Sequence, residues 1–309
     1  MVRLDRSGKE AVAGVVLPDG REVADLGRAM AVLGHESALA GPGDGLAWFD
    51  LDGPWPGRAR AVLDACSVHD SREALRGASA LLAVSDVQLR APILRPGKIV
   101  AVGLNYRDHA REAKLPVPDA PVIFAKFTTA VVGPGDAIVL PATSARVDYE
   151  AELAVVIGRR THRVSQGHAL DAVFGYTNAN DVSDRDLQKR DSQWVRAKSC
   201  DTFAPLGPWV VSTDEVGDVH DLRIQLRLNG TAMQDSSTRE LVFGVPALVE
   251  SIASTITLEP GDVILTGTPA GVGFARRPPV YLKAGDVVEV EIEGLGVLRN
   301  PVVRASVLP

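Results

Sequence analysis

One stretch limits what this chain can fold into more than any other: RVDYEAELAVVIG, Arg146 to Gly158. Tyr149, Leu153, Val155, Val156 and Ile157 favour pleated backbone, and Gly158 ends the run. Strand side chains alternate between faces. Glu150, Glu152, Ala154 and Val156 therefore share one face, and Tyr149, Ala151, Leu153, Val155 and Ile157 share the other. Both faces turn apolar towards the C-terminal end, which predicts an interior strand. Residues two apart in a strand lie about 6.6 Å apart. Two carboxylates at that spacing repel by about 2.5 kcal/mol at an effective dielectric near 20, before desolvation is counted. A divalent cation would reverse the sign of that term. A solvated edge face carrying two ordinary glutamates is the alternative reading of the pair taken alone.

A chain of 309 residues is long enough for one large domain, or for one large and one small. The formal net charge of -6, with no basic cluster, argues against a nucleic-acid surface. The start, MVRLDRSGKEAV, lacks the apolar core of a secretory signal, and no run approaches the roughly 20 apolar residues of a membrane helix. Two cysteines far apart, Cys66 and Cys200, fit reduced thiols in a cytoplasm. No Cys/His zinc spacing occurs.

Residues 10–17 and VADL read as two strands joined by an Asp19-Gly20 turn. Helical stretches follow around Leu26–Leu33, Ala59–Ala65 and Ser71–Ser79, separated by the turn-rich GPGDG and DGPWPG. The Pro- and Gly-bearing segment LRAPILRPGKIVAV is the linker candidate, so the division is a small α+β domain, 1–95, and a larger domain, 96–309. In the latter, KIVAVGLNY and PVIFAKF read as strands around a helical segment, Asn105–Lys114. A Gly-Asp turn followed by a β-rich run recurs irregularly, in GDAIVL, GDVILT and GDVVEV. Ser183 is placed to cap a helix over DRDLQKRDSQW, and Pro246 to open another. Strict βαβ alternation is absent, so the fold class is α+β, a curved β core with peripheral helices.

Further chemical groups surround the paired glutamates in sequence. Asp181 is either a helix-start residue or a third oxygen ligand. Three carboxylates suit a hard ion, Mg²⁺ or Mn²⁺, with Ca²⁺ a third candidate. His109 and Glu112 stand three apart on a helix and can meet. They form either an exposed polar pair or a general base with its orienting carboxylate. Lys126 and Lys198 are isolated lysines, each of which could equally lie on the surface. The loop TGTPAGVG, Thr266–Gly273, offers backbone N–H groups and the Thr268 hydroxyl to an anion. It lacks the Gly-Lys-Ser/Thr of a phosphate loop, and a plain structural turn is its other reading.

Taken together, GLNYRDHARE, PVIFAKFTTAVVGPGD, DYEAELAVVIG, NDVSDRDLQ, AKSCDTFAPLGPWV and PGDVILTGTPAGVG resemble the fumarylacetoacetate hydrolase family, over about residues 98–304. The resemblance implies a mixed β-sandwich roll, usually a homodimer. It implies a metal on Glu150, Glu152 and Asp181, a lid dyad of His109 and Glu112, and an active-site lysine at Lys198. Lys126, Arg185, Gln188 and Thr268 fall at substrate-contacting positions. Asp108 matches an extra ligand of some members but is set aside, because members with this helix pattern generally do without it. The expected activity is metal-dependent hydrolysis of a C–C bond in a 2,4-diketo acid, an acylpyruvate or a diketo-deoxy sugar acid such as 2,4-diketo-3-deoxy-L-fuconate. The alternatives are an oxaloacetate-type decarboxylase or keto–enol isomerase, a ureidoglycolate lyase, or a keto-acid binding protein without turnover.

Overall fold

The computed structural model describes residues 1–5, 12–35 and 46–305. The GPGDG connection at 41–45 and the first two residues of the expected strand at 10–17 lie outside them. The expected turn at Asp19-Gly20 joins strands Val12–Val16 and Glu22–Asp25, and the three helices span Leu26–Val32, Trp55–Cys66 and His69–Gly77. These two strands belong to a five-stranded antiparallel sheet with Leu81–Ala83, Val2–Asp5 and Gln88–Arg90. Its helices cover an apolar layer built on Val15, Leu26, Met30, Val62 and Leu75.

The larger part is two packed sheets. One has seven strands, in the order Val122–Lys126, Ile99–Gly103, Val263–Leu265, Ala151–Ile157, Val173–Asn180, Ala204–Ser212 and Val131–Val132. The other has five, in the order Thr231–Ser237, Arg223–Leu228, Val287–Ile292, Val297–Arg304 and Ile138–Leu140. The mixed sheets and peripheral helices form the α+β roll expected of the sequence, since the apolar faces that the two sheets turn to each other must be buried together.

The paired-glutamate strand sits at the centre. Ala151–Ile157 is hydrogen-bonded to Val173–Asn180 on one side and Val263–Leu265 on the other, and all seven residues are buried. Its two faces enter different cores. Tyr149, Ala151, Leu153, Val155 and Ile157 pack between the sheets with Ile224, Leu226, Val290 and helix Val245–Ala253. Ala154 and Val156 pack on the opposite side with Phe49, Ile93 and Ile99. Burying a side chain of this size contributes about 1.5–3 kcal/mol, so the register of this strand is strongly fixed.

The expected single strand from Arg146 is in fact broken. Val147–Asp148 pairs with Ser183–Asp184, and the long strand begins only at Ala151. The break has a local cause. The Glu150 amide donates to the Asn180 side chain (3.0 Å) instead of to a strand ladder. A second difference follows at the next helix. Asp184, not Ser183, is the N-cap, its carboxylate accepting from the Asp186 and Leu187 amides at 2.9 and 3.1 Å. Ser183 Oγ instead donates to the Asp181 carbonyl (2.8 Å). The predicted helix is two short ones, Arg185–Arg190 and Val195–Lys198.

Candidate metal and keto-acid site

At the head of the central strand, Glu150 and Glu152 converge with Asp181, which follows the neighbouring strand. The Asp181 amide donates to the Glu150 carbonyl (2.8 Å), so the two acids are set by one backbone link. Each of the three offers a carboxylate oxygen, and these oxygens lie within 4.8 Å of one another. All three residues are at most 5% exposed.

Cations surround them. Lys198 Nζ lies 2.7 Å from Glu150 Oε2 and 2.6 Å from Asp181 Oδ2. Lys126 Nζ lies 2.6 Å from Asp181 Oδ1 and donates to the Lys198 carbonyl, so the two lysines are braced against one another. Arg185 Nη2 bridges Glu150 Oε1 at 2.6 Å and Asp148 Oδ2 at 2.8 Å. Burial opposes ionisation of Glu150, but the Lys198 and Arg185 charges outweigh it and hold its pKa down at about 2. Burial likewise works against the Lys198 ammonium, yet Asp181 and Glu150 keep it raised. Glu152 has no cation in contact. Burial, with Asp181 and Glu150 beside it, pushes its pKa well up, and the Lys198 charge and the Gly267 amide (2.7 Å) act the other way without reversing it.

That imbalance tests whether a metal fits. Four buried acids (Asp148, Glu150, Glu152, Asp181) share three contacting cations (Lys126, Arg185, Lys198), and Glu152, which burial and its acidic neighbours bias towards the protonated form, is the acid with no cation against it. Glu152 is a member of the converging trio, and a divalent ion there would favour its ionised form. An all-oxygen donor set of three acids suits a hard divalent ion.

The glycine-rich loop differs from its expected role. Three of its amides are not free for an external anion, because they hold the protein's own acids. Gly267 donates to Glu152, Gly271 to both oxygens of Glu112 (3.0 Å each), and Gly273 to Asp148 (2.8 Å). Gly267 and Gly271 have φ of +100° and +103°, which only glycine adopts without strain. Thr268 Oγ1 accepts from Gln234 Nε2 (2.8 Å) and faces the pocket.

His109 and Glu112 lie on helix Arg107–Ala113 as expected, with Nδ1 and Oε2 3.5 Å apart. His109 is 8% exposed and meets the Phe274 ring edge-on at 6.3 Å. Glu112 is raised by burial but lowered further by His109 and the Gly271 amide, so it stays an anion beside the imidazole. Asp108 is occupied elsewhere, accepting from Ser236 Oγ (2.6 Å) and its neighbour's amide. The cavity that joins these groups measures about 510 Å³. His109, Glu150, Glu152, Asp181, Arg185, Gln188, Lys198 and Thr268 line it. Lys126 sits behind, 2% exposed.

Three contributors were absent from the sequence reading. Asp148 anchors Arg185 and the loop; it lies two before Glu150 in D-Y-E-A-E, so the same period-two alternation could have found it. Gln234 accepts from the Ala151 amide (2.8 Å) and donates to Thr268 and Pro269; it comes from a distant hairpin and no local signal marks it. Phe274 carries the Arg185 guanidinium over its ring at 4.5 Å.

Residues 98–303 match the family described as fumarylacetoacetate (FAA) hydrolase, C-terminal. The mitochondrial oxaloacetate tautomerase fahd2 of Xenopus laevis is 47% identical over 252 residues, 80% of this chain and 79% of that one. A crystal structure of 2-hydroxyhepta-2,4-diene-1,7-dioate isomerase from Mycobacterium marinum is 47% identical with a TM-score of 0.65, covering 74% of this chain and 82% of that one. A fumarylacetoacetate hydrolase from Exiguobacterium antarcticum is 34% identical with a TM-score of 0.75, covering 98% and 99%.

These findings correct the expected activity. The two relatives at 47% identity are named a tautomerase and an isomerase, so the expectation of hydrolytic cleavage of a 2,4-diketo acid is not supported and its isomerase alternative stands nearer. The physical reason is plain. A histidine backed by a carboxylate was read as activating water, but the same pair moves a proton to or from carbon equally well. The Xenopus relative is mitochondrial by name, so relatedness lends the cytoplasmic expectation no support. Among the described residues no helix is long and apolar enough to cross a membrane. With a match over residues 98–303 and near-half identity to its relatives, the chain belongs to the fumarylacetoacetate hydrolase family.

Proposed function

We propose that this protein is a divalent-metal-dependent keto–enol tautomerase acting on oxaloacetate-type 2-keto acids. The observation that carries the reading is the buried trio Glu150, Glu152 and Asp181, converging with no cation against Glu152 and open to a cavity that His109 and Lys198 also line. The names of the half-identical relatives support the same reaction class. Mg²⁺ or Mn²⁺ held by the trio would supply Lewis-acid polarisation of the substrate's oxygens.

Tautomerisation moves one proton between the enol oxygen and C3, with no bond to carbon broken other than C–H. His109 is the group suited to the carbon end. Glu112, fixed by the Gly271 amide, favours a proton on Nδ1 and leaves Nε2 as the exchanging atom. Lys198 and Arg185 add positive charge where the enolate's negative charge collects. Gln188 holds Arg185 through its carbonyl oxygen (2.8 Å), which leaves its amide N–H₂ for the substrate. Thr268 adds a hydroxyl to the same wall.

Two further expectations belong to this proposal. The strands before residue 91 pair only with one another among the described residues, which supports a small domain over 1–95 beside a catalytic 96–309. The edge strand Val122–Lys126 leaves Val122 and Ile123 exposed beside Phe127, itself 59% exposed, an apolar surface that a second copy in a homodimer would cover.

The test follows the enol of oxaloacetate by ultraviolet absorbance, with Mg²⁺ or Mn²⁺ and then with chelator, while pyruvate is assayed in parallel. Metal-dependent loss of the enol band without pyruvate is the expected result. Pyruvate formed at the rate of enol loss makes the protein a decarboxylase, and equal rates with chelator remove the metal from the account.

A further inference from the structure

We infer that Lys189 is a specificity-determining residue that binds the second, distal carboxylate of a keto diacid; this rests on the keto-acid reading of the same pocket. Four long cationic side chains line the cavity: Arg146, Arg185, Lys189 and Lys198. Three are already matched by the protein's own acids. Arg146 pairs with Asp186, Arg185 with Asp148 and Glu150, and Lys198 with Glu150 and Asp181. Among the described residues, Lys189 has neither an ion pair nor a hydrogen-bonded acceptor for its ammonium.

Its place on the fold gives that free charge a use. Arg185 and Lys189 are four apart on helix Arg185–Arg190, hence on one face, about 6 Å apart along the axis. Arg185 reaches Glu150 at the inner end of the cavity. Lys189 therefore stands one turn further out along the same wall, next to Gln188, whose amide N–H₂ is also unspent. Phe124 and Trp194, edge to face at 5.5 Å, line the cavity as well, and neither can hydrogen-bond a carboxylate except through the one indole N–H. For a ligand anchored by its 2-keto acid end at the carboxylate trio, the exposed Lys189 ammonium is the unmatched cation of the cavity wall that a second carboxylate can reach. A monoacid of equal length would leave the ammonium without a partner and gain nothing from it.

Equilibrium binding separates this from the reaction itself. Calorimetric titration with 2-oxoglutarate and with 2-oxopentanoate, in the presence of Mn²⁺, measures the worth of the distal carboxylate in a pair of near-equal length. The wild type should hold the diacid about tenfold more tightly, the worth of one exposed-to-half-buried charge-assisted contact. Lys189→Met should bind both acids alike, Lys189→Arg should keep the preference, and Lys189→Glu should reverse it. Mn²⁺ affinity, measured on the same variants without acid, reports whether the inner site is intact. No preference in the wild type, or a preference that survives in Lys189→Met, overturns the inference. Turnover of oxaloacetate by the wild type is read separately. Its absence would sink the tautomerase reading while leaving the binding result standing.

Discussion

Asp148→Asn is the perturbation whose size can be worked out most fully. Asp148 is fully buried. Its Oδ1 accepts from the Tyr149 amide at 2.9 Å and the Gly273 amide at 2.8 Å. Its Oδ2 accepts from the Phe274 amide at 3.0 Å and from Arg185 Nε at 2.9 Å, with Arg185 Nη2 in ion-pair contact at 2.8 Å. Asparagine preserves shape and one acceptor but places an N–H₂ where Oδ2 stood, donor against two donors. A lost charge-assisted bond costs about 1.5–3 kcal/mol, and a buried amide left without an acceptor about 1–3 kcal/mol. Arg185 retains Glu150, so its charge is not stranded, and the total is about 3–5 kcal/mol, the range for breaking a buried ion pair. Urea unfolding should show that loss as a lower midpoint at unchanged slope. Because Arg185 and the Gly273–Phe274 turn are both released, keto-acid binding should weaken in the same variant. A loss under about 1 kcal/mol with binding intact would refute the view that Asp148 organises the site.

Three other outcomes follow from the geometry. His109→Gln should lower kcat for enol turnover about 10²- to 10⁴-fold, the usual worth of a general base, with substrate binding largely kept; stopped-flow absorbance checks it. Gly271→Ala should destabilise by about 2–4 kcal/mol, since its Cβ would lie 2.2 Å from the Met233 carbonyl at φ +103°, whereas Gly285→Ala, with the same hand of φ and open space around it, should cost only about 1 kcal/mol. Glu22 is raised by burial but lowered further by Arg72 and Arg76, which bind it from helix His69–Gly77, so its folded pKa lies below 4.5. A depressed carboxylate stabilises above its unfolded pKa and stops doing so as pH falls through the folded one. The gap between wild type and Glu22→Gln should therefore be about 0.5–1 kcal/mol near neutral pH and should close as the pH drops below 4.5.

Much of the site was readable from local pattern because its parts are local. Period-two alternation put Glu150 and Glu152 on one face and separated the two cores, and the i, i+3 spacing put His109 beside Glu112. What escaped were long-range partnerships. Gln234 reaches Ala151 across 83 positions of sequence, and the loop amides of Gly267, Gly271 and Gly273 are claimed by acids more than a hundred residues earlier. Nothing in TGTPAGVG says whether its N–H groups meet a ligand or the protein itself. The reaction also escaped, for a chemical reason. A chelated keto acid beside a histidine–carboxylate pair can be hydrated or protonated, and residue types alone do not distinguish water from carbon as the partner.

The most direct test of the central claim is a Mn²⁺ titration followed by electron paramagnetic resonance. The wild type should bind one ion per chain, and Glu152→Gln, which removes the carboxyl group with no cation in contact, should bind it at least tenfold more weakly while unfolding at or above the wild-type midpoint. Equal Mn²⁺ binding by the two proteins, or none by the wild type, would contradict the account.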